Sequence, residues 1–188
     1  MWTTPDAWPT VMTAQPTGNC TVSRVWELDD SQVEALASVT IDCVEGGASI
    51  GFMNPLTRDR ALSFWRWTSH RVSSGERALL IAEDKDGICG TVQLIMALPE
   101  NQPHRAEITK MLVHGRARRQ GVGAALMRAA EGVARENSKT LLVLDAVTGG
   151  DAARLYEKLG WVRVGDVPNF ALMPDGAGCS TTFYYKRV

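Results

Sequence analysis

"ITKMLVHGRARRQGVGAALM", residues 108–127, decides how the rest of the chain is read. An alternating segment runs into three arginines, then two glycines spaced one apart, then an alanine-rich amphipathic stretch. That order predicts a strand over "RAEITKMLV" (105–113), a turn, and a helix over Gly121–Glu136. Val122, Leu126, Ala129, Ala130 and Val133 recur at helical spacing and form its buried stripe. The first N–H groups of a helix have no partner within it, and the helix dipole adds partial positive charge there. Gly121 and Gly123 keep side chains away from those amides, while Arg116, Arg118 and Arg119 add cationic reach. The combination suits a phosphate or diphosphate. The same residues also fit a plain strand-to-helix turn with a solvated arginine face, since two glycines alone are a weak signal. A triphosphate loop would need Gly-Lys-Ser/Thr after the glycines, and a dinucleotide fold would need a small residue where Leu126 stands. Both fail on residues.

Downstream, "TLLVLDA" (140–146) is a continuous apolar run, which predicts an interior strand covered on both faces. Residues 105–146 therefore form strand–helix–strand, large enough for a right-handed crossover between parallel strands. "GDAARLYEKLG" (150–160) predicts a short helix stopped by Gly160, and "WVRVGDV" (161–167) and "CSTTFYYKRV" (179–188) predict strands. Upstream, a short strand is expected over Thr21–Trp26. A helix follows in "DDSQVEALASVTIDCVEGG" (29–47), with Ser31 and Glu34 as its capping box and Gly46-Gly47 as its stop. "ASIGFMNPL" (48–56) is a loop, and Arg58–Ser73 a second helix with Leu62, Trp65 and Val72 on one side. "RALLIAED" (77–84) and "GICGTVQLIMAL" (87–98) predict two strands around a turn at Asp84–Gly87. The whole predicts an α+β fold with one mixed, mostly antiparallel sheet and helices on both faces. Residues 1–20, rich in Pro and Thr and without a period, are expected to be an N-terminal extension to a single domain over 21–188.

A chain of 188 residues with 45% hydrophobic residues can bury one sizeable core. Its net charge of −1 makes the arginines at 116–119 a local feature, which argues against a nucleic-acid partner. Leu141–Leu144 is the longest apolar run, far too short to span a bilayer, and "MWTTPDAWPTVMTAQPTG" lacks the marks of a secretory leader. Cys20, Cys43, Cys89 and Cys179 stand far apart without metal-type spacing. They read as free thiols of a cytoplasmic protein that needs no metal.

Arg118-Arg119-Gln120-Gly121-Val122-Gly123 matches Q/R-x-x-G-x-G/A, and with "AARLYEKLGWVRVG" the stretch 106–165 resembles the GNAT N-acetyltransferases. "GGASIGFM", "AEITKMLV", "LDAVTGG" and "VGDVPNFALMPDG" are similar to one branch of them, the tabtoxin resistance proteins, which acetylate a β-lactam toxin. The resemblance implies a GNAT-like fold and acetyl-CoA as cosubstrate. Its diphosphate would meet Arg118, Arg119, Gln120, Gly121, Val122, Gly123 and Ala124, and its pantetheine arm the main chain of Met111, Leu112 and Val113. The acceptor would be the primary amine of a small polar molecule, amino-acid-like or of the tabtoxinine-β-lactam type. Alternatives are a peptide or protein amine, or an acetyl-CoA sensor without turnover. The protein would be a monomer or homodimer.

Moving an acetyl group to an ammonium requires a base. Glu107 lies on the strand before the turn, where alternation sets it on one face with Thr109 and Met111. Asp145 ends the apolar strand, at the end where parallel strands bind ligands. A carboxylate there either works on the substrate or caps the next turn. The tabtoxin-resistance resemblance implies substrate-handling carboxylates at both positions, with Glu107 the expected base and Asp145 an orienter or second base. It also implies that Tyr156 protonates the departing thiolate, a residue that would otherwise be a packing aromatic. Many relatives carry an asparagine before that helix, where this chain has Gly149-Gly150-Asp151. "GGASIGFMNPL" would shape the acceptor pocket, with Phe52 and Met53 as walls; Trp65 is expected in the core.

Overall fold

The structure, a computed structural model, describes residues 20–188. Except for Cys20, the expected N-terminal extension lies outside the described residues. The elements are β1 (Thr21–Val25), α1 (Asp30–Glu45), α2 (Arg58–Ser73), β2 (Arg77–Asp84), β3 (Gly87–Ile95), β4 (Arg105–Val113), α3 (Val122–Glu136), β5 (Leu141–Val147), α4 (Asp151–Lys158), β6 (Val162–Leu172) and β7 (Gly178–Arg187). They build one seven-stranded sheet in the order β1-β2-β3-β4-β5-β7-β6. β1 to β4 form an antiparallel meander, and β4 pairs with β5 in parallel across the α3 crossover. β7 inserts between β5 and β6, antiparallel to both.

Two apolar clusters lie on opposite faces. On one, Val122, Leu126, Met127 and Ala130 of α3 and Tyr156 of α4 pack on Leu80, Val92, Leu94, Ile108 and Leu142. On the other, Leu36 and Val44 of α1 and Leu62 and Trp65 of α2 pack on Leu79 and Ile81. Trp65 is 0% exposed, and its indole N–H donates to Thr40 Oγ1 at 2.9 Å. Burying a ring of that size contributes roughly 4–6 kcal/mol before entropy is counted. The partner matters because an unpaired N–H in such a place is costly.

Several expectations change. The cap of α1 is Asp29, not Ser31: its carboxylate accepts the Gln32 N–H at 2.8 Å, and Gln32 Oε1 accepts the Asp29 N–H at 3.2 Å. The box sits two residues earlier, where the aspartate is free to take extended backbone. β6 runs to Leu172 rather than Val167, because its register with β7 resumes after an irregularity at Ala171 and Leu172. β5 is covered on one face only. Leu142 and Leu144 are buried there, whereas Leu141 and Val143 are half-buried and Asp145 is exposed on the other. α1 and α2 rest mainly on β2, β3 and β4, and the partly exposed second face of β5 is left as the floor of a groove.

Candidate active site

Gly121 N-caps α3 with φ +85° and no side-chain cap. The first bond of the helix is Ala125 N–H to Gly121 O at 3.0 Å, so the Val122, Gly123 and Ala124 amides face outward without an acceptor among the described residues. Gly121 is required by its left-handed backbone, since a Cβ there would meet nothing within 4 Å. Gly123 answers to packing: its Cβ would stand 3.0 Å from Leu155 Cδ2 and 3.5 Å from Met111 Sδ.

The arginines are less available than expected. Arg116 pairs with Asp84 and reaches the Gly87 and Ile88 carbonyls. Arg118 donates to Val113 O at 3.0 Å and lies 3.8 Å from the Asp42 carboxylate. Both brace the turn against the meander and α1. Arg119, which pairs with Asp151 at 2.8 Å, is the most exposed. Gln120 closes the turn on Arg116 O at 2.9 Å.

β4 and β5 part early. They pair only at Arg105–Glu107 with Leu141–Val143, and beyond that β4 continues to Val113 beside β3 alone. The β5-facing edge of the Met111–Val113 main chain therefore lies open toward the α3 turn. β4 also carries an extra residue here: the two steps from Thr91 to Gln93 on β3 face three steps from Leu112 to Thr109. Lys110 absorbs it with φ +51°. The bulge breaks the expected alternation. Thr109 stays on the face of Glu107, but Met111 turns to the opposite face and packs against the α3 cluster, whereas Leu112 joins the α1–α2 cluster.

The carboxylates meet across the parallel pair. Glu107 is in register with Val143, and Asp145 lies two residues further along the same face of β5, about 7 Å on. Glu107 accepts from Arg105 Nη1 at 2.8 Å. Asp145 is solvent-accessible along the groove, yet partial burial raises its carboxyl above the usual carboxylate range; Lys110 opposes that rise and Glu107 adds to it. Tyr156 comes from the other side of the sheet, on α4. Burial first, and then the charge of Asp145, push its phenol well above the ordinary tyrosine value. It packs edgewise near Tyr184 and Trp161, and its hydroxyl has no hydrogen bond among the described residues. Asp145 thus acts on Glu107 along its own face and on Tyr156 from the opposite one.

Loop 46–57 roofs the groove. Ser49 Oγ donates to Leu172 O at 2.8 Å, and Asn54 N–H to Pro174 O at 3.0 Å, which ties the loop to the β6–β7 hairpin. Phe52 packs edge-to-face on Phe64 of α2, with ring centroids 5.3 Å apart. Met53 faces outward instead, into a depression of about 440 Å³ along the seam with Pro174 and Asp175. Phe183 and Tyr185 lie opposite Asp145 and Val143 on β7 and continue the floor.

Sequence reasoning passed over Lys110, Arg77 and Phe64 on this face, and over Gln93, which is buried beside Thr109. Lys110 Nζ lies 5.7 Å from the Phe64 ring centroid, and burial holds its ammonium below the usual lysine range. A polar glutamine inside the apolar run "TVQLI" was the one available signal. Among the described residues, no three His, Cys, Asp or Glu side chains are arranged to hold a metal, and no helix is long and apolar enough to cross a membrane. The four cysteines are buried, and none forms a disulfide among the described residues.

Residues 75–163, from the end of α2 through the whole α3 crossover and α4, match the family profile of the acetyltransferase (GNAT) domain. This stretch, just under half of the chain, is similar to the GNAT acetyltransferase domain. Acetyl-CoA is the cosubstrate of such a domain. Solved structures agree on the fold of the chain as a whole. A ribosomal-protein-alanine N-acetyltransferase from Brucella melitensis aligns over 86% of this chain and 98% of its own at 21% identity, with TM-score 0.73. The Salmonella typhimurium protein yncA, solved with its cofactor acetyl-CoA, aligns over 90% and 94% at 19% identity, with TM-score 0.72. An N-acetyltransferase from Staphylococcus aureus aligns over 90% and 98% at 17% identity, with TM-score 0.73. The unpaired α3 amides and the open β4 edge both lie within the matched residues.

Proposed function

We propose that the protein moves the acetyl group of acetyl-CoA to the primary amine of a small polar acceptor held under loop 46–57. What supports this reading most is that Glu107 and Asp145 share one face beside the β4–β5 gap, with the Asp145 charge felt at Tyr156 and three unpaired amides on α3. The Gly121, Val122, Gly123 and Ala124 backbone, with Arg118, Arg119 and Gln120, would hold the diphosphate, and the Met111–Val113 main chain the pantetheine arm. These residues fit the group: the amides are bare, and nothing stands within 4 Å of Gly121 where a side chain would begin. Bound acetyl-CoA supplies the activated thioester.

The chain's own residues do the rest. Glu107 or Asp145 takes a proton from the acceptor ammonium, freeing the nitrogen lone pair for attack. Two adjacent carboxylates favour this, since the repulsion of Glu107 makes Asp145 a better proton acceptor than an isolated aspartate. As the new C–N bond forms and the C–S bond breaks, Tyr156 gives its proton to the sulfur. A phenol kept protonated by burial suits that role. A main-chain N–H of the β4 edge steadies the developing oxyanion. The tie between loop 46–57 and the β6–β7 hairpin supports a small acceptor over a peptide, because a long chain needs a groove open at both ends. An amino-acid-like molecule, such as a tabtoxinine-type β-lactam, has that size.

Thiol release from acetyl-CoA with a panel of amines tests the reading. Small polar amines should be turned over, and Glu107→Gln should lower kcat by about 10²–10⁴-fold. That loss should shrink at alkaline pH, where free amine accumulates. Tight acetyl-CoA binding with no release for any amine would mark a sensor instead.

A further inference from the structure

The groove has a basic end as well as an acidic one. On the face that carries Glu107 and Asp145, Lys110 has no hydrogen bond and no ion pair among the described residues; its ammonium lies 5.7 Å from the Phe64 ring centroid and feels the charge of Asp145. Beside it in register, Gln93 pairs with Thr109 on β4. Gln93 is 0% exposed, its Oε1 accepts from Arg77 Nη1 at 2.7 Å, and its Nε2 is buried without an acceptor. The Thr68 hydroxyl, one helical turn beyond Phe64, is likewise buried and unpartnered. Arg77 itself lies over the Trp67 ring at 4.9 Å, and its charge is felt at Lys110.

A buried amide donor without an acceptor costs about 1–3 kcal/mol, and a half-buried ammonium without a hydrogen bond adds to that. Lys110 also holds a left-handed backbone that a lysine adopts only under constraint. Two cations on one face, Lys110 and Arg77, are complementary to an anion. A carboxylate can accept a charge-assisted hydrogen bond from the ammonium. Lys110 is three residues from Glu107 along β4, so one small molecule can span both ends. Gly51 approaches from the roof, where an added Cβ would lie 3.8 Å from Lys110 Nζ.

We propose that Lys110, backed by the charge of Arg77, is the carboxylate-binding half of the acceptor site, so that the acceptor is an amino-acid-like zwitterion whose ammonium faces Glu107 and Asp145. This rests on the acetyltransferase reading above and narrows its substrate class. The structure of the groove then explains its charge pattern: acid for the reacting amine, base for the anchoring carboxylate.

The experiment measures thiol release by the full chain with the common L-amino acids, β-alanine and γ-aminobutyrate, each beside its own carboxamide. Wild type, Lys110→Met and Lys110→Arg are compared. Wild type should prefer the acid over its carboxamide by about tenfold or more in kcat/KM, the worth of one charge-assisted contact. Lys110→Met should erase that preference chiefly through KM, with a far smaller effect on the carboxamide, and Lys110→Arg should restore part of it. A wild type indifferent to the carboxylate, or a Lys110→Met that lowers both members of each pair equally, overturns the subsite and leaves the acetyltransferase reading standing. No release with any amine overturns that reading, and the subsite with it.

Discussion

Two glycines of α3, replaced in the same way, should move stability in opposite directions. Gly121 has φ +85°, and an added Cβ would meet nothing within 4 Å, so Gly121→Ala adds no clash and only conformational strain. For an L-residue in the left-handed region that strain is about 1–2 kcal/mol. Gly132 lies inside α3, and its Cβ would also meet nothing within 4 Å. Gly132→Ala should therefore stabilise the helix by about 0.5–1 kcal/mol. In a chain of this size one kcal/mol shifts Tm by about 2–4 °C. Gly121→Ala should thus lower Tm by about 2–8 °C and Gly132→Ala raise it by about 1–4 °C. Because the left-handed turn is also what aims the Val122, Gly123 and Ala124 amides outward, Gly121→Ala should weaken acetyl-CoA binding by roughly 5–30-fold, whereas Gly132→Ala should not. Thermal unfolding followed by circular dichroism reads the first pair of effects, and calorimetric titration the second. A Gly121→Ala protein as stable as wild type, with undiminished affinity, would refute the reasoning.

Two further outcomes follow from the groups at the β4–β5 gap. Tyr156→Phe should lower kcat by about 10²-fold or more with little change in acetyl-CoA affinity, read from steady-state kinetics beside calorimetry; an unchanged rate removes the phenol from the chemistry. Asp145 has a raised carboxyl in the folded chain, so its charged form opposes folding. That penalty is complete above the folded pKa and vanishes as pH falls below the unfolded value of about 3.9. Asp145→Asn should accordingly be more stable than wild type near neutrality, with the gap closing on acidification; a gap constant with pH would place the effect elsewhere.

Much of the architecture was legible because local signals agreed with the fold. The bounds of α2, β2 and β4 follow from apolar spacing punctuated by turn residues, and the parallel crossover follows from the length of the strand–helix–strand unit. Glu107, Asp145 and Tyr156 were each singled out from position or resemblance; the fold sets the two carboxylates on one face and Tyr156 on the other. Other parts left no local trace. The bulge at Lys110 is set by how β4 must fit β3, and it reverses the side of Met111 and adds Lys110 to the groove. The partners of Arg116 and Arg118, Asp84 and Asp42, lie far away in sequence, so a segment that reads as freely cationic is largely braced.

The sequence by itself determined the order of strands and helices, the glycine turn that bares the α3 amides, and the acidic residues at the strand ends. Those depend on neighbours within a few positions. The tertiary structure alone decided that β7 enters between β5 and β6, that β5 keeps one face uncovered, and that loop 46–57 reaches the β6–β7 hairpin. The reason is physical: pairing, register and burial are satisfied between segments distant along the chain, and a buried charge such as Lys110 acquires its meaning from what surrounds it there.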